Sequence, residues 1–140
     1  MNLQEQELFI QDLTARLSYG VRVEHIHSGV ISVLDNLIVH RMYNQDGSIK
    51  SYLCTTNIFG DDIYMDIEDF KPYLYPMSAM TEAQKAEYCR LQDRVIYNSL
   101  GPVNSDVLNY INWLNENHFD YRGLIEKGLA LDASIIKVYE

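Results

Sequence analysis

The chain has 140 residues, 47% of them hydrophobic, and this length and composition are typical of one globular domain with its own core. No apolar run approaches the roughly 18 residues of a membrane-spanning helix, and the acidic N-terminal residues do not resemble a signal peptide, so we expect a cytoplasmic protein that does not bind membranes. The formal net charge of −9 repels phosphate backbones and argues against non-specific nucleic-acid binding.

The first predicted element is an amphipathic helix over residues 3–17. Apolar side chains such as Ile10 and Leu13 fall on one stripe of this helix, while Asp12 and other polar side chains are expected to face water. Gly20 suits the left-handed position that ends many helices. We therefore predict a helix that packs its apolar stripe on the rest of the domain.

From Val21 onwards the hydrophobic period changes to two, which predicts β-strands. The predicted segments are VRVEHIH, VISVL, LIVHRMY, IKSYLCTT and IYMDI, separated by turns rich in glycine, asparagine and aspartate. In the loop NQDGS, Asp46 and Gly47 are expected to supply the positive φ angles of a hairpin. We predict an antiparallel meander of about five strands that could curl into a small half-barrel.

The segment DFKPYLYPM precedes a clear helix start and contains two prolines. A residue before proline is pushed into an extended conformation, so Lys71 and Tyr75 should not be helical. Pro72 and Pro76 are four residues apart, which is not the PxxP spacing of a polyproline ligand. We predict an extended connector, with Leu74 packed on the core, rather than a binding loop.

Helical periodicity returns at Thr81, which forms a capping box with Gln84. Residues 100–102 are expected to end this helix, and a second helix is predicted to start at Asn104 or Ser105. The segment HFDYRGLIEKGLALDAS predicts a short capped turn of helix, and IIKVY predicts a final strand or an ordered tail. The order of helix, sheet and helices predicts a single α+β domain that spans the whole chain.

Two blocks of sequence resemble a known family. KPYLYPMSAMTEAQKAEY (71–88) and INWLNENHFDYRGLIEKGLALDA (111–133) resemble the KPYLxPxSSMT and HFDYRGLIxxGLA motifs of small, uncharacterised proteins from gut Bacteroidetes, their phages and mobile elements. LTARLSYGVRV (13–23) is similar to the N-terminal part of those proteins, whereas Ala79 replaces the second serine of the first motif. The resemblance implies a phage or mobile-element source and implies no mechanism.

Histidines and acidic residues suggest two metal sites to consider. His25 and His27 lie on one side of a predicted strand, and His40 could join them from a neighbouring strand as a zinc ligand. Five acidic residues offer the oxygen ligands that calcium accepts. They are Asp61, Asp62, Asp66, Glu68 and Asp69. Because no HExxH, cysteine-rich or EF-hand pattern accompanies either group, we favour solvated side chains and expect no cofactor.

The string HFDYRGLI supports two interpretations. In a packed chain reversal, Asp120 would cap a turn and Arg122 would pair with an acid. In a recognition cluster, the side chains of His118, Asp120, Tyr121 and Arg122 would form a polar binding surface, because arginine and tyrosine are favoured at interface centres. We favour the chain reversal and retain these four residues as candidates for binding.

No nucleophile, phosphate-loop or dinucleotide motif is present, and for the separated Cys54 and Cys89 we favour two buried thiols over a disulfide. The 11 tyrosines suit protein interfaces, so we expect a non-enzymatic accessory protein that binds a protein partner. One alternative is a binder of a small molecule or nucleotide signal, such as a counter-defence sponge, with Arg22, Arg41 or Arg122 converging on a polar pocket. An unrecognised metal-dependent enzyme, an acidic DNA mimic and a homo-oligomer are further alternatives.

Overall fold

The structure is a computed structural model that describes residues 1–56, 63–97 and 105–140. The helices are α1 (Leu3–Arg16), α2 (Glu82–Tyr97) and α3 (Ser105–Glu116). The strands are β1 (Arg22–His25), β2 (Ile31–Val33), β3 (Leu37–Tyr43), β4 (Ile49–Thr56), β5 (Ile63–Asp66), β6 (Phe70–Leu74) and β7 (Leu131–Asp132). The predicted α+β class, with its N-terminal helix and two main C-terminal helices, is confirmed.

The predicted helix stop at residues 100–102 lies outside the described residues. No helix in the described ranges has the length and apolar character that crossing a membrane requires.

Helix α1 begins at a capping box. The Asn2 side chain accepts a hydrogen bond from the Glu5 amide at 2.8 Å, and the Glu5 carboxylate accepts one from the Asn2 amide at 3.1 Å. Phe9 and Leu13 are buried in the main core. After a short 3₁₀ turn the chain leaves the helix through Gly20, whose φ of 69° lies in the left-handed region. The predicted helix and its glycine stop are therefore both present.

The strands form two sheets rather than one meander. The first sheet has the order β2-β1-β6-β7 and the second has the order β3-β4-β5. All neighbours are antiparallel except β6 and β7, which run parallel over two residue pairs. The sheet is divided because β6 returns to pair with β1 instead of continuing from β5. Across the described residues neither sheet closes, so the expected half-barrel does not form.

The predicted connector is itself strand β6. It is extended, as its prolines require, and Leu74 is fully buried as predicted. Pro72 lies opposite Val23 of β1, whereas the parallel partner β7 begins only beside Tyr73. Proline has no N–H to donate to a sheet. The late start of β7 therefore places Pro72 where only one neighbouring strand is present.

Strands β3 and β4 form a long hairpin with the boundaries that the sequence predicts. Gly47 in its loop has a φ of 87°, but Asp46 does not have a positive φ. Its carboxylate instead accepts a hydrogen bond from the Ser48 amide at 2.9 Å. The prediction that both residues supply positive φ angles is thus right for the glycine only. The register of the hairpin shifts between Met42 and Tyr43, near the loop.

Two apolar cores hold these elements together. The main core joins α1 to both sheets and includes Phe9, Val23, Cys54 and Leu74. A second core lies where α2 and α3 meet the end of β6. Its buried residues are Met80, Leu114 and Phe119, and four of the 11 tyrosines pack against them (Tyr75, Tyr88, Tyr110 and Tyr121). Part of the tyrosine content that suggested an interface is therefore used within the chain.

Candidate functional site

The string HFDYRG reverses the chain after α3. The Tyr75 amide donates to the His118 carbonyl and the Asp120 amide donates to the Tyr75 carbonyl, both at 2.8 Å. The Asp120 carboxylate accepts hydrogen bonds from the amides of Leu124 and Ile125, each at 2.9 Å. Asp120 therefore caps a turn as predicted. No regular helix follows, but one turn is present: the Lys127 amide donates to the Gly123 carbonyl at 3.4 Å, and Gly128, with a φ of 73°, ends the turn at the predicted glycine.

A buried ion network joins this chain reversal to α1. The Arg16 guanidinium, fully buried, donates from Nε to Asp12 Oδ2 at 2.8 Å and from Nη2 to the Phe119 carbonyl at 2.6 Å. Arg122 Nη1 donates to the other carboxylate oxygen of Asp12 at 2.9 Å. The Tyr121 ring lies 5.3 Å from Arg16 Cζ and 4.6 Å from Arg122 Cζ, within cation–π range. We call these residues the Asp12 network.

The Asp12 network corrects one prediction and satisfies another. Asp12 was expected to face water, but its carboxylate is fully buried between two arginines. Arg122 pairs with an acid, as the chain-reversal interpretation requires. The i,i+4 spacing of Asp12 and Arg16 was a signal in the sequence for this pair. The Tyr121 hydroxyl also donates within the chain, to Asn115 Oδ1 at 2.9 Å. A binding role for the four candidate residues of HFDYRG stays a prediction.

His118 has the one positive φ among the described non-glycine residues, 61°. Its ring stacks on the Tyr139 ring with centroids 3.9 Å apart and planes 8° apart. Burial, together with the positive charges of Arg16 and Arg22, lowers the pKa of His118 to about 4. The imidazole is therefore neutral at pH 7 and packs as an aromatic ring.

Tyr139, which the sequence did not single out, anchors the C-terminal segment. Its hydroxyl donates to the Tyr73 carbonyl at 2.7 Å and accepts from the Arg22 amide at 3.0 Å. Burial raises its pKa to about 12. Nearby, His118 Nδ1 and Arg16 Nη1 are buried and have no hydrogen-bond partner among the described residues. This region is built from packed, mostly satisfied groups.

A groove of about 670 Å³ runs between α1 and the β3–β4 hairpin, and we call it the α1–β3 groove. Tyr52 of β4 connects the hairpin to α1, because its hydroxyl donates to Glu7 Oε1 at 3.0 Å. Burial, followed by the Glu7 hydrogen bond, raises the pKa of Tyr52. Val39 and Arg41 line the groove from β3. The groove is therefore an open surface with apolar, acidic and basic side chains close together.

The outer side of the hairpin exposes apolar side chains. On β3, the exposed fractions are 50% for Ile38 and 48% for Met42 on this side, whereas Tyr43, which is 58% exposed, lines the groove. In the described ranges β3 pairs with β4 alone, so its other edge is open, and we call that side the β3 edge. Strands β3 and β4 contain no Asp or Glu, although the chain has 20 acidic residues. Within the described part of the chain, Arg41 forms no ion pair with a carboxylate.

The predicted histidine ligands do not share one strand or one sheet: His25 ends β1, and His27 lies in the turn after it rather than on the predicted strand. His25 and His27 have rings 5.6 Å apart, but His25 Nδ1 is hydrogen-bonded to Ser28 Oγ at 2.7 Å and His27 Nε2 to Asp69 Oδ1 at 3.0 Å. His40 belongs to β3 in the other sheet. No group of three or more ligand side chains that could hold a metal ion occurs in the described ranges. Two members of the acidic group, at positions 61 and 62, lie outside those ranges.

The three candidate arginines do not share one cavity in the part of the chain that the structure describes. Arg41 lines the α1–β3 groove, Arg122 belongs to the Asp12 network and Arg22 is exposed on β1. One of the two cysteines expected to be buried is not. Cys54 is buried, and burial raises its pKa to about 12, whereas Cys89 is exposed on α2 because α2 buries only Leu91 among its described residues. The prediction of a second buried thiol is therefore wrong.

Comparison of the chain with protein-family models, curated proteins and solved structures found no match.

Proposed function

We propose that the chain is a cytoplasmic, non-enzymatic accessory protein of a phage or mobile element, and that it acts by binding another protein. The resemblance of its two sequence blocks supports the source. The observation that carries the binding role is the β3 edge, where Ile38, Met42 and Tyr43 are exposed beside the α1–β3 groove. Exposed apolar and aromatic side chains with a nearby arginine are the composition of protein-binding surfaces.

Two further observations support this surface over the chain reversal. The polar groups of Asp120 and Arg122 already bond to partners within the chain, so a ligand would have to compete with bonds that are formed. The side chains of Met42 and Arg41 instead project from a hairpin that the rest of the domain leaves exposed. A partner can cover them without breaking the fold.

The proposal is tested by affinity capture from lysate of the native host with three forms of the full chain. Wild type is compared with Met42→Glu, which places a charge on the β3 edge, and with Ile135→Glu, which makes the same change at a residue 79% exposed elsewhere. We expect one specific protein to be recovered by wild type and by Ile135→Glu, and to be lost with Met42→Glu. Recovery of that protein by all three forms, or of no specific protein by wild type, would contradict the proposal.

A further inference from the structure

The β3 edge is the longest open edge in the described structure. Edge strands β2 and β7 have three and two residues and β5 has four, whereas β3 has seven. In an antiparallel pair alternate residues direct their N–H and C=O groups to the neighbouring strand, so the others on β3 direct theirs outward. Such a row of unpaired backbone groups is a template for one more strand.

The features that usually protect an edge are few here. Proteins block exposed edges with proline, with very short strands, with lysine side chains or with bulges. β3 contains no proline and no lysine, and its one register shift lies near the loop, between Met42 and Tyr43. The residues before that shift form a regular ladder with β4. An extended segment can therefore pair with most of the strand.

The charges and the side-chain alternation of the hairpin indicate what that segment contains. β3 and β4 have no acidic residue but carry Arg41 and Lys50, in a chain whose net charge is −9. Arg41 and Val39 lie on the groove face, whereas Ile38 and Met42 lie on the opposite, exposed face. A complementary strand places a carboxylate beside the arginine and apolar side chains beside the isoleucine and methionine.

We infer that the β3 edge binds an extended segment of a partner protein by strand addition, and that this segment alternates acidic with apolar residues. The inference rests on the proposed function and names the partner's chemistry. Repulsion from carboxylates farther than about 8 Å from the edge is screened at physiological ionic strength. Glu7 lines the same groove, but its carboxylate already accepts the Tyr52 hydroxyl, whereas Arg41 forms no ion pair with a carboxylate among the described residues.

A second copy of this chain fits the same edge less well. Antiparallel pairing of β3 with its own copy would bring no carboxylate to Arg41, because the strand has none. It would also bring together two chains that each carry a net charge of −9. The segment therefore comes from another protein.

The experiment uses the full chain and three synthetic peptides with blocked ends. In the first, valine alternates with glutamate; in the second, lysine replaces glutamate; in the third, proline replaces the central valine of the first. Binding is measured by fluorescence anisotropy, and amide hydrogen exchange of Leu37–Tyr43 is followed by NMR. We expect the glutamate peptide to bind at least about tenfold more tightly than either of the others, a difference of about 1.4 kcal/mol. Its binding should slow exchange at alternate amides of β3.

Two variants of the exposed Arg41 test whether its charge selects the acidic peptide. Arg41→Glu should reverse the preference between the glutamate and lysine peptides, and the neutral Arg41→Gln should reduce it. Equal affinity for the two peptides, binding without slower exchange in β3, or no binding by wild type would each overturn the inference. A concentration-dependent dimer of wild type that Arg41→Glu abolishes would overturn the choice of partner.

Failure of strand addition is distinguishable from failure of the proposed function. If lysate capture depends on Met42 while the peptides fail, a protein binds this surface by another mode. If the peptides bind as expected while lysate capture is unaffected by Met42→Glu, strand addition stands and the proposed function is wrong.

Discussion

Replacing Arg16 with methionine is expected to lower the free energy of unfolding by about 3–5 kcal/mol, the usual cost of removing one partner of a buried ion pair. The methionine fills most of the volume of the arginine stem, so a cavity adds little. The loss comes from the buried Asp12 carboxylate, which keeps only Arg122, and from the Phe119 carbonyl, which loses its donor. An unsatisfied buried carbonyl alone costs about 1–3 kcal/mol.

Urea unfolding, followed by Trp113 fluorescence and by circular dichroism, measures this loss. With a slope of about 2 kcal/mol per molar urea, the midpoint should fall by about 1.5–2.5 M. Arg122→Met is the matched control, because Arg122 bonds to the same carboxylate but its side chain is 18% exposed. We expect the control to cost less than half as much as Arg16→Met.

A double-mutant cycle tests the assigned cause. If an unpaired buried charge dominates the loss, Asp12→Leu combined with Arg16→Met should be less destabilising than the sum of the two single changes, by about 1–3 kcal/mol. A cost below about 1 kcal/mol for Arg16→Met, or strict additivity in the double variant, would refute the reasoning.

The other predictions concern stability, pH and thiol chemistry. Leu74→Ala should cost about 2–4 kcal/mol, since Leu74 is fully buried, and Thr81→Ala about 1 kcal/mol through the lost capping box; urea midpoints of both variants check this. Because the pKa of His118 falls from 6.5 to about 4 on folding, the unfolded chain binds more protons between these values, and stability should decrease by at most about 3 kcal/mol as pH falls from 6.5 to 4. Asparagine tolerates the left-handed backbone, so His118→Asn should fold and should lack this decrease when the free energy of unfolding is measured against pH. Cys89 should react with a thiol reagent in the native protein, whereas Cys54 should react only on unfolding; equal rates for the two thiols would contradict their burial.

Local patterns in the sequence predict the elements that depend on neighbouring residues. The β3–β4 hairpin has its predicted boundaries because two alternating segments flank an Asp-Gly turn. The helix after Thr81 starts where its capping box requires, with the Gln84 amide donating to the threonine hydroxyl oxygen at 3.1 Å. Interactions within about four residues of each other determine the helix cap and the hairpin turn, and the hairpin strands then pair with no other element between them in the chain.

Contacts between distant residues determine what the sequence did not predict. The prolines of β6 indicate an extended chain, but only the fold brings Pro72 opposite Val23. Asp12 lies among polar residues of α1 that are typical of a solvated helix face. Its carboxylate is buried because Arg122, far along the chain, donates a hydrogen bond to it. The candidate binding surface also depends on contacts between distant residues. The alternating residues of β3 predict a strand, but the edge of that strand is open because β6 pairs with β1.

Site-specific photocrosslinking in the native host tests most directly whether the protein binds its partner at the β3 edge. A photoreactive phenylalanine derivative replaces Ile38 on the β3 edge in one variant and Tyr121 in the chain reversal in another. We predict a covalent adduct with one host or phage protein from the position of Ile38, lost when Arg41→Glu is added, and no adduct from the position of Tyr121. An adduct from the position of Tyr121 and none from that of Ile38 would contradict the account, and would place binding at the chain reversal.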